Sequence, residues 1–155
     1  MTLYLLLKTL HILSATLLFG TGLGSAYYAL RAWRSGQLQV IATTFRHLVT
    51  ADWLFIATTA LFQPLSGLAL AKVAGWPLSQ AWLLWSAGLF VLAGLCWLPV
   101  LWLQMRVRDM AAEALASGGE LPERAHRYMR IWFALGWPAF LAFVVIFWLM
   151  VAKPL

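Results

Sequence analysis

Three ionisable side chains of this sequence lie inside apolar runs, where charge is costly and marks a functional position by default. His11 and Lys8 belong to residues 4–30, YLLLKTLHILSATLLFGTGLGSAYYAL, and being three apart they share one side of a helix. A neutral imidazole ligates iron, copper or zinc, and a histidine in a small helical bundle is a usual ligand of haem. His11 is therefore a candidate metal ligand and the candidate ligand of a b-type haem. The structural alternative is a hydrogen bond across helices to Gln63 or Ser86. Lys8 either binds a haem propionate or another anionic group, or snorkels to the headgroups, since it lies within about a turn and a half of the membrane surface. Gln63, at the level of His11 on the next helix, completes this cofactor-binding set. Asp52 is the only carboxylate within an apolar run. It could carry protons, and the structural alternative is an ion pair with Arg130 or Arg46 at similar depth.

Depth decides whether two histidines can share one haem. At about 1.5 Å per residue His11 lies roughly 12 Å below one membrane face, while His47 starts the second helix on the order of 15–20 Å away along the membrane normal. Axial ligands approach one iron from opposite sides at similar depth, so His11 and His47 do not form such a pair. The other helices offer Gln63, Leu89 and Phe143 at the level of His11. A haem here would take any second ligand from Lys8, another subunit or a substrate. His47 and His126 read as interfacial residues at helix starts. The spacings of zinc sites and the signatures of serine or cysteine hydrolases are absent. The run GTGLGS follows no strand, so it is not a dinucleotide fingerprint; Gly20 and Gly24 instead form a small-xxx-small face on which another helix can pack.

The elements that position these residues follow from composition. Of 155 residues 63% are hydrophobic and 10% charged, more apolar surface than a soluble domain of this length can hide. The apolar material falls into four blocks, residues 3–30, 48–71, 80–105 and 131–151, each long enough to span a bilayer. The expected fold is all-α: one integral membrane domain, a four-transmembrane-helix bundle, with Pro64, Pro99 and Pro138 kinking its helices. Between the first two spans, residues 38–45 read as a helical continuation along the interface. Residues 109–115 are helix-forming and stop at Ser117, Gly118, Gly119 and Pro122. Trp33, Trp53, Trp102 and Trp132 at one level, and Trp76, Trp82, Trp85 and Trp148 at the other, suit the two aromatic belts of a spanning bundle. Trp97 and Trp137 fall deeper and are expected to pack inside it.

Lys and Arg set the orientation. Arg31, Arg34 and Arg46 follow the first span, and Arg106, Arg108, Arg124, Arg127 and Arg130 follow the third, against only Lys72 and Lys153 on the opposite side. The positive-inside rule makes the arginine-rich side cytoplasmic and turns both termini outward, to the periplasm of a bacterial inner membrane. The net charge of +6 is thereby a topology signal; the basic residues flank spans without forming a stripe, which argues against nucleic acid. The first block is too long for the apolar region of a signal peptide and has no basic leader, so it reads as a retained helix. A single cysteine, Cys96, excludes an intramolecular disulfide.

The segments LKTLHILSATLLFGTGLGSA, TADWLF with QPLSG, WLPVLWLQMRVRD and RIWFALGWPAF resemble a bacterial family of small integral membrane proteins catalogued as a domain of unknown function. That resemblance implies a fold and no activity. A looser likeness, confined to the first helix around Leu10, His11 and Ile12, is to HemJ-type protoporphyrinogen oxidases and CopD membrane domains; the former implies haem held at the position of His11. The expected function is thus an inner-membrane protein binding b-type haem or a related porphyrin through His11, for electron transfer or porphyrin oxidation. One alternative is a non-enzymatic subunit or assembly factor that docks a partner helix, or a second copy, on Gly20 and Gly24. A further one is a small oligomeric transporter.

Overall fold

The structure, a computed structural model, describes residues 2–153. Within it the chain forms helix α1 (Thr2–Ser35), α2 (Leu38–Ala51), a π-helical segment (Asp52–Ala57), α3 (Thr58–Ala74), α4 (Ala81–Ser117) and α5 (Glu123–Ala152). Helix α2, the π segment and α3 are one continuous rod, Leu38–Ala74, so four rods are each long and apolar enough to cross a membrane. The protein is an all-helical, multi-pass integral membrane protein. Its surface agrees, since Leu61, Leu65 and Val151 are 72%, 67% and 86% exposed, which is favourable only where lipid replaces water.

The rods run further than the apolar blocks alone. The second and third have 37 residues each, which at 1.5 Å per residue is about 55 Å, well beyond the ~30 Å hydrocarbon core. The surplus lies at the arginine-rich end. There the interval expected after the first span contracts to Gly36 and Gln37, and residues 106–117 continue α4 without a break. Helix α2 is amphipathic: Ile41, Phe45, Leu48 and Val49 are buried, while Arg46, His47 and Thr50 are exposed. Its apolar face meets Val107, Met110 and Ala111 of α4 and Ala125 and Met129 of α5, in a cluster that also takes in Ala29 of α1. Water flanks this end of the bundle, so burial there is driven by the hydrophobic effect. Gly75 and Gly118 close α3 and α4 at φ +72° and +66°, left-handed conformations that cost other residues. Pro64, Pro99 and Pro138 sit inside their helices.

The second rod changes partner along its length. Helix α2 packs mainly on α4, whereas α3 packs mainly on α1. The π segment lies at the changeover; widening a helix by one residue rotates the next turns by about 100°. Helices α4 and α5 pair along their length, and α1 meets α5 only sparsely. The two helices touch at Phe19, whose ring lies 5.5 Å from Phe140 and 5.2 Å from Phe147, and again at the arginine-rich end, where Trp33 meets His126. At the far end Lys153 Nζ sits 5.1 Å over the Trp76 ring and 5.9 Å over Trp82, and the two indoles meet edge to face. The bundle is thus tight at its arginine-rich end, loose in the middle and clasped again at the opposite end.

The aromatic expectations divide. Trp53, Trp85 and Trp148 are exposed as belt residues should be. Trp132, expected at the interface, is buried at 5%, and Trp137, expected inside, is 64% exposed. Helical rotation, which depth alone does not specify, separates the two.

Candidate functional site

Two polar sites occupy the membrane-level interior. The first surrounds Asp52, which continues the buried face of α2 at the first position of the π segment and is 2% exposed. Its Oδ2 accepts a hydrogen bond from Gln104 Nε2 at 3.1 Å, and Gln104 Oε1 accepts one from Trp132 Nε1 at 3.2 Å. The indole can only donate, so it fixes the amide oxygen of Gln104 and turns the amide nitrogen toward the carboxyl. Three helical elements are stitched together by this chain. Asp52 Oδ1 has no partner, and neither does the buried indole nitrogen of Trp97. Both residues line a cavity of about 420 Å³ bounded by α1, the π segment, the start of α3, α4 and α5. Its remaining wall is almost wholly apolar, with Phe90, Phe133, Phe140 and Phe143 among the rings that face it.

The expected ion pair of Asp52 with Arg130 is not formed. Arg130 and Arg46 are both exposed at the arginine-rich end, where water solvates their guanidinium groups, and Gln104 stands against the carboxyl instead. The only ion pair among the described residues joins neighbours, Arg108 and Asp109, at 2.7 Å.

The second site joins α1 to α3. His11 Nδ1 lies 2.7 Å from Ser66 Oγ, which itself donates to the Phe62 carbonyl at 2.8 Å. A ring that donates from Nδ1 to this hydroxyl carries its acceptor lone pair on Nε2. No described residue takes a hydrogen bond to that nitrogen. The ring packs close to Gly67, where an added Cβ would come 3.5 Å from His11 Cε1. Gln63 donates to the His11 backbone carbonyl at 3.1 Å, so it supports the helix and leaves the ring alone. The cross-helix partner is therefore Ser66, one turn from the expected Gln63, and Ser86 bonds its own helix at Trp82.

Lys8 is brought to neither site; it is exposed, with Nζ 5.8 Å from the Tyr4 ring centroid. His11 does not line the cavity. Gly20 and Gly24 meet no helix of this chain, for a Cβ at either would find nothing within 4 Å. His47 is exposed, and so is His126, which lies edge-on to Trp33 at 5.1 Å. Among the described residues no three of His, Cys, Asp and Glu stand together as metal ligands. Gln104, Trp97 and Trp132 were not legible as site residues. A glutamine within the third apolar block was the available signal, since a polar side chain at that depth needs a partner.

No curated protein and no solved structure matches the chain. A family model described as "Predicted integral membrane protein (DUF2269)" matches residues 5–154, nearly the whole length, in agreement with the four spanning rods. The chain belongs to this family of integral membrane proteins.

Proposed function

We propose that this protein binds a small apolar molecule within the membrane, in the cavity between α1, α4 and α5, with Asp52 as its polar contact. The observation that carries this reading is a carboxyl group, 2% exposed and with one oxygen unpartnered, on a residue that lines an otherwise greasy cavity. Buried polar groups are nearly always hydrogen-bonded, and about 420 Å³ lies within the range of small-molecule sites. The π segment that begins at Asp52 supports it, because such distortions recur at functional positions. Orientation follows the arginine count, with the Asp52 end of the cavity toward the cytoplasm of a bacterial inner membrane and both termini periplasmic. The test is saturable binding of the fluorophore 1-aminoanthracene to the purified full chain. Ala60→Phe and Ala93→Phe, which fill the cavity from two elements, are expected to abolish binding while helicity is kept. Undiminished binding in both variants would overturn the reading.

A second reading retains haem b, ligated by His11. It is supported by the Ser66 contact at Nδ1, which leaves Nε2 without a hydrogen bond among the described residues, the side from which an oriented imidazole can ligate a metal. Because the cavity excludes His11, the macrocycle would occupy the half-buried α1–α3 surface and would be shared with a second chain. The open face at Gly20 and Gly24 suits such a partner or a second copy of this chain. A Soret band in freshly purified protein, lost in His11→Ala, is the expected result; protein without such a band removes this reading.

A further inference from the structure

We infer that the cavity takes a membrane-dissolved molecule with a hydroxylated aromatic ring, a phenol or hydroquinone on an apolar tail, and that the molecule arrives sideways from the bilayer between α1 and α5. The inference rests on the ligand-binding reading above and specifies its chemistry. Asp52 Oδ1 and Trp97 Nε1, an acceptor and a donor, are both buried without a hydrogen-bond partner, and both residues line the cavity. A hydroxyl satisfies both at once, accepting from the indole and donating to the carboxylate. Besides Gln104, already bonded to Asp52 and Trp132, Ser25 and Tyr27 add polar groups to a wall that is otherwise mostly apolar, so most of the ligand is apolar. The rings of Phe90, Phe133, Phe140 and Phe143 offer faces and edges to a flat partner.

The route follows from the same wall. Leu23, Tyr27 and Trp137 line the cavity, yet they are 52%, 59% and 64% exposed on the outside of the bundle. Gly22 of α1 and Gly136 of α5 also line it, and a Cβ at either meets nothing within 4 Å. The cavity therefore opens as a slot between the two sparsely packed helices, in the apolar stretch of both. A slot there faces acyl chains, and an apolar tail can remain among them while the ring is held inside.

The experiment uses the full chain in lipid nanodiscs and a matched pair of probes, 4-decylphenol and 4-decylanisole, which differ in the hydroxyl proton. Each is titrated against bound 1-aminoanthracene. A hydrogen bond between the probe's hydroxyl and the Asp52 carboxyl predicts up to about tenfold preference for the phenol in the native chain. In Asp52→Leu the preference is expected to vanish while both probes still displace the fluorophore. Gly22→Leu and Gly136→Leu, placed where the backbone has room, are expected to slow association of both probes. If the fluorophore binds saturably but the native chain treats phenol and anisole alike, the hydroxyl assignment is wrong and the cavity reading survives. If neither the fluorophore nor either probe binds, the cavity reading itself fails. Unchanged association rates in both glycine variants would overturn the lateral route.

Discussion

Replacing Gln104 by Leu tests the polar chain at its centre. Gln104 is 1% exposed and makes two side-chain hydrogen bonds, to Asp52 Oδ2 and from Trp132 Nε1. Leu has similar bulk, so packing is largely kept and the loss is that of the polar contacts. In a water-soluble core, stranding a buried donor costs about 1–3 kcal/mol and stranding a charged group costs more. Within a bilayer the measured scale is smaller, averaging about 0.6 and reaching about 1.7 kcal/mol per interhelical bond, because unfolded helices also find partners there. Two bonds on that scale give roughly 1–3 kcal/mol. The assay is reversible unfolding of the full chain from mild-detergent micelles by added SDS, followed by far-UV circular dichroism. The double variant Asp52→Leu/Gln104→Leu completes a cycle with the singles. Because removing the carboxyl also removes what Gln104 leaves unpaired, the double should be less destabilised than the sum of the singles, by about 0.5 kcal/mol or more. Stability of Gln104→Leu within about 0.5 kcal/mol of the native chain, the spread of ordinary surface changes, would refute the argument that this chain of bonds ties the second rod to α4 and α5.

Two further outcomes test the scaffold around it. Phe45→Ala removes a fully buried ring from the arginine-rich end, where water makes burial count at full strength; a loss of about 3–5 kcal/mol is expected in the same unfolding assay, and a loss under about 1 kcal/mol would show that this cluster does not hold the bundle. Gly75→Ala places a Cβ at φ +72°, and a midpoint shift worth about 1–2 kcal/mol is expected, whereas Gly20→Ala, on an open helix surface, should leave the isolated chain's stability nearly unchanged.

Residue type and run length determined the architecture. Four apolar blocks require four spanning helices because a backbone in hydrocarbon must satisfy its own hydrogen bonds. The stop signal at Gly118 lies where α4 ends, since that position needs a backbone that tolerates positive φ. The cost of an ionisable group in an apolar run singled out Lys8, His11 and Asp52; the last two are held by hydrogen bonds between helices, while Lys8 is exposed. What the sequence could not decide was partner choice. Ser66 in place of Gln63 beside His11, and Gln104 in place of Arg130 beside Asp52, depend on helix rotation and on distances that depth along one axis does not contain. The π segment had no local signal, and it accompanies the exchange of α4 for α1 as packing partner. The cavity arises from that divergence, so it is a property of how the four rods lean on one another and of no residue taken singly.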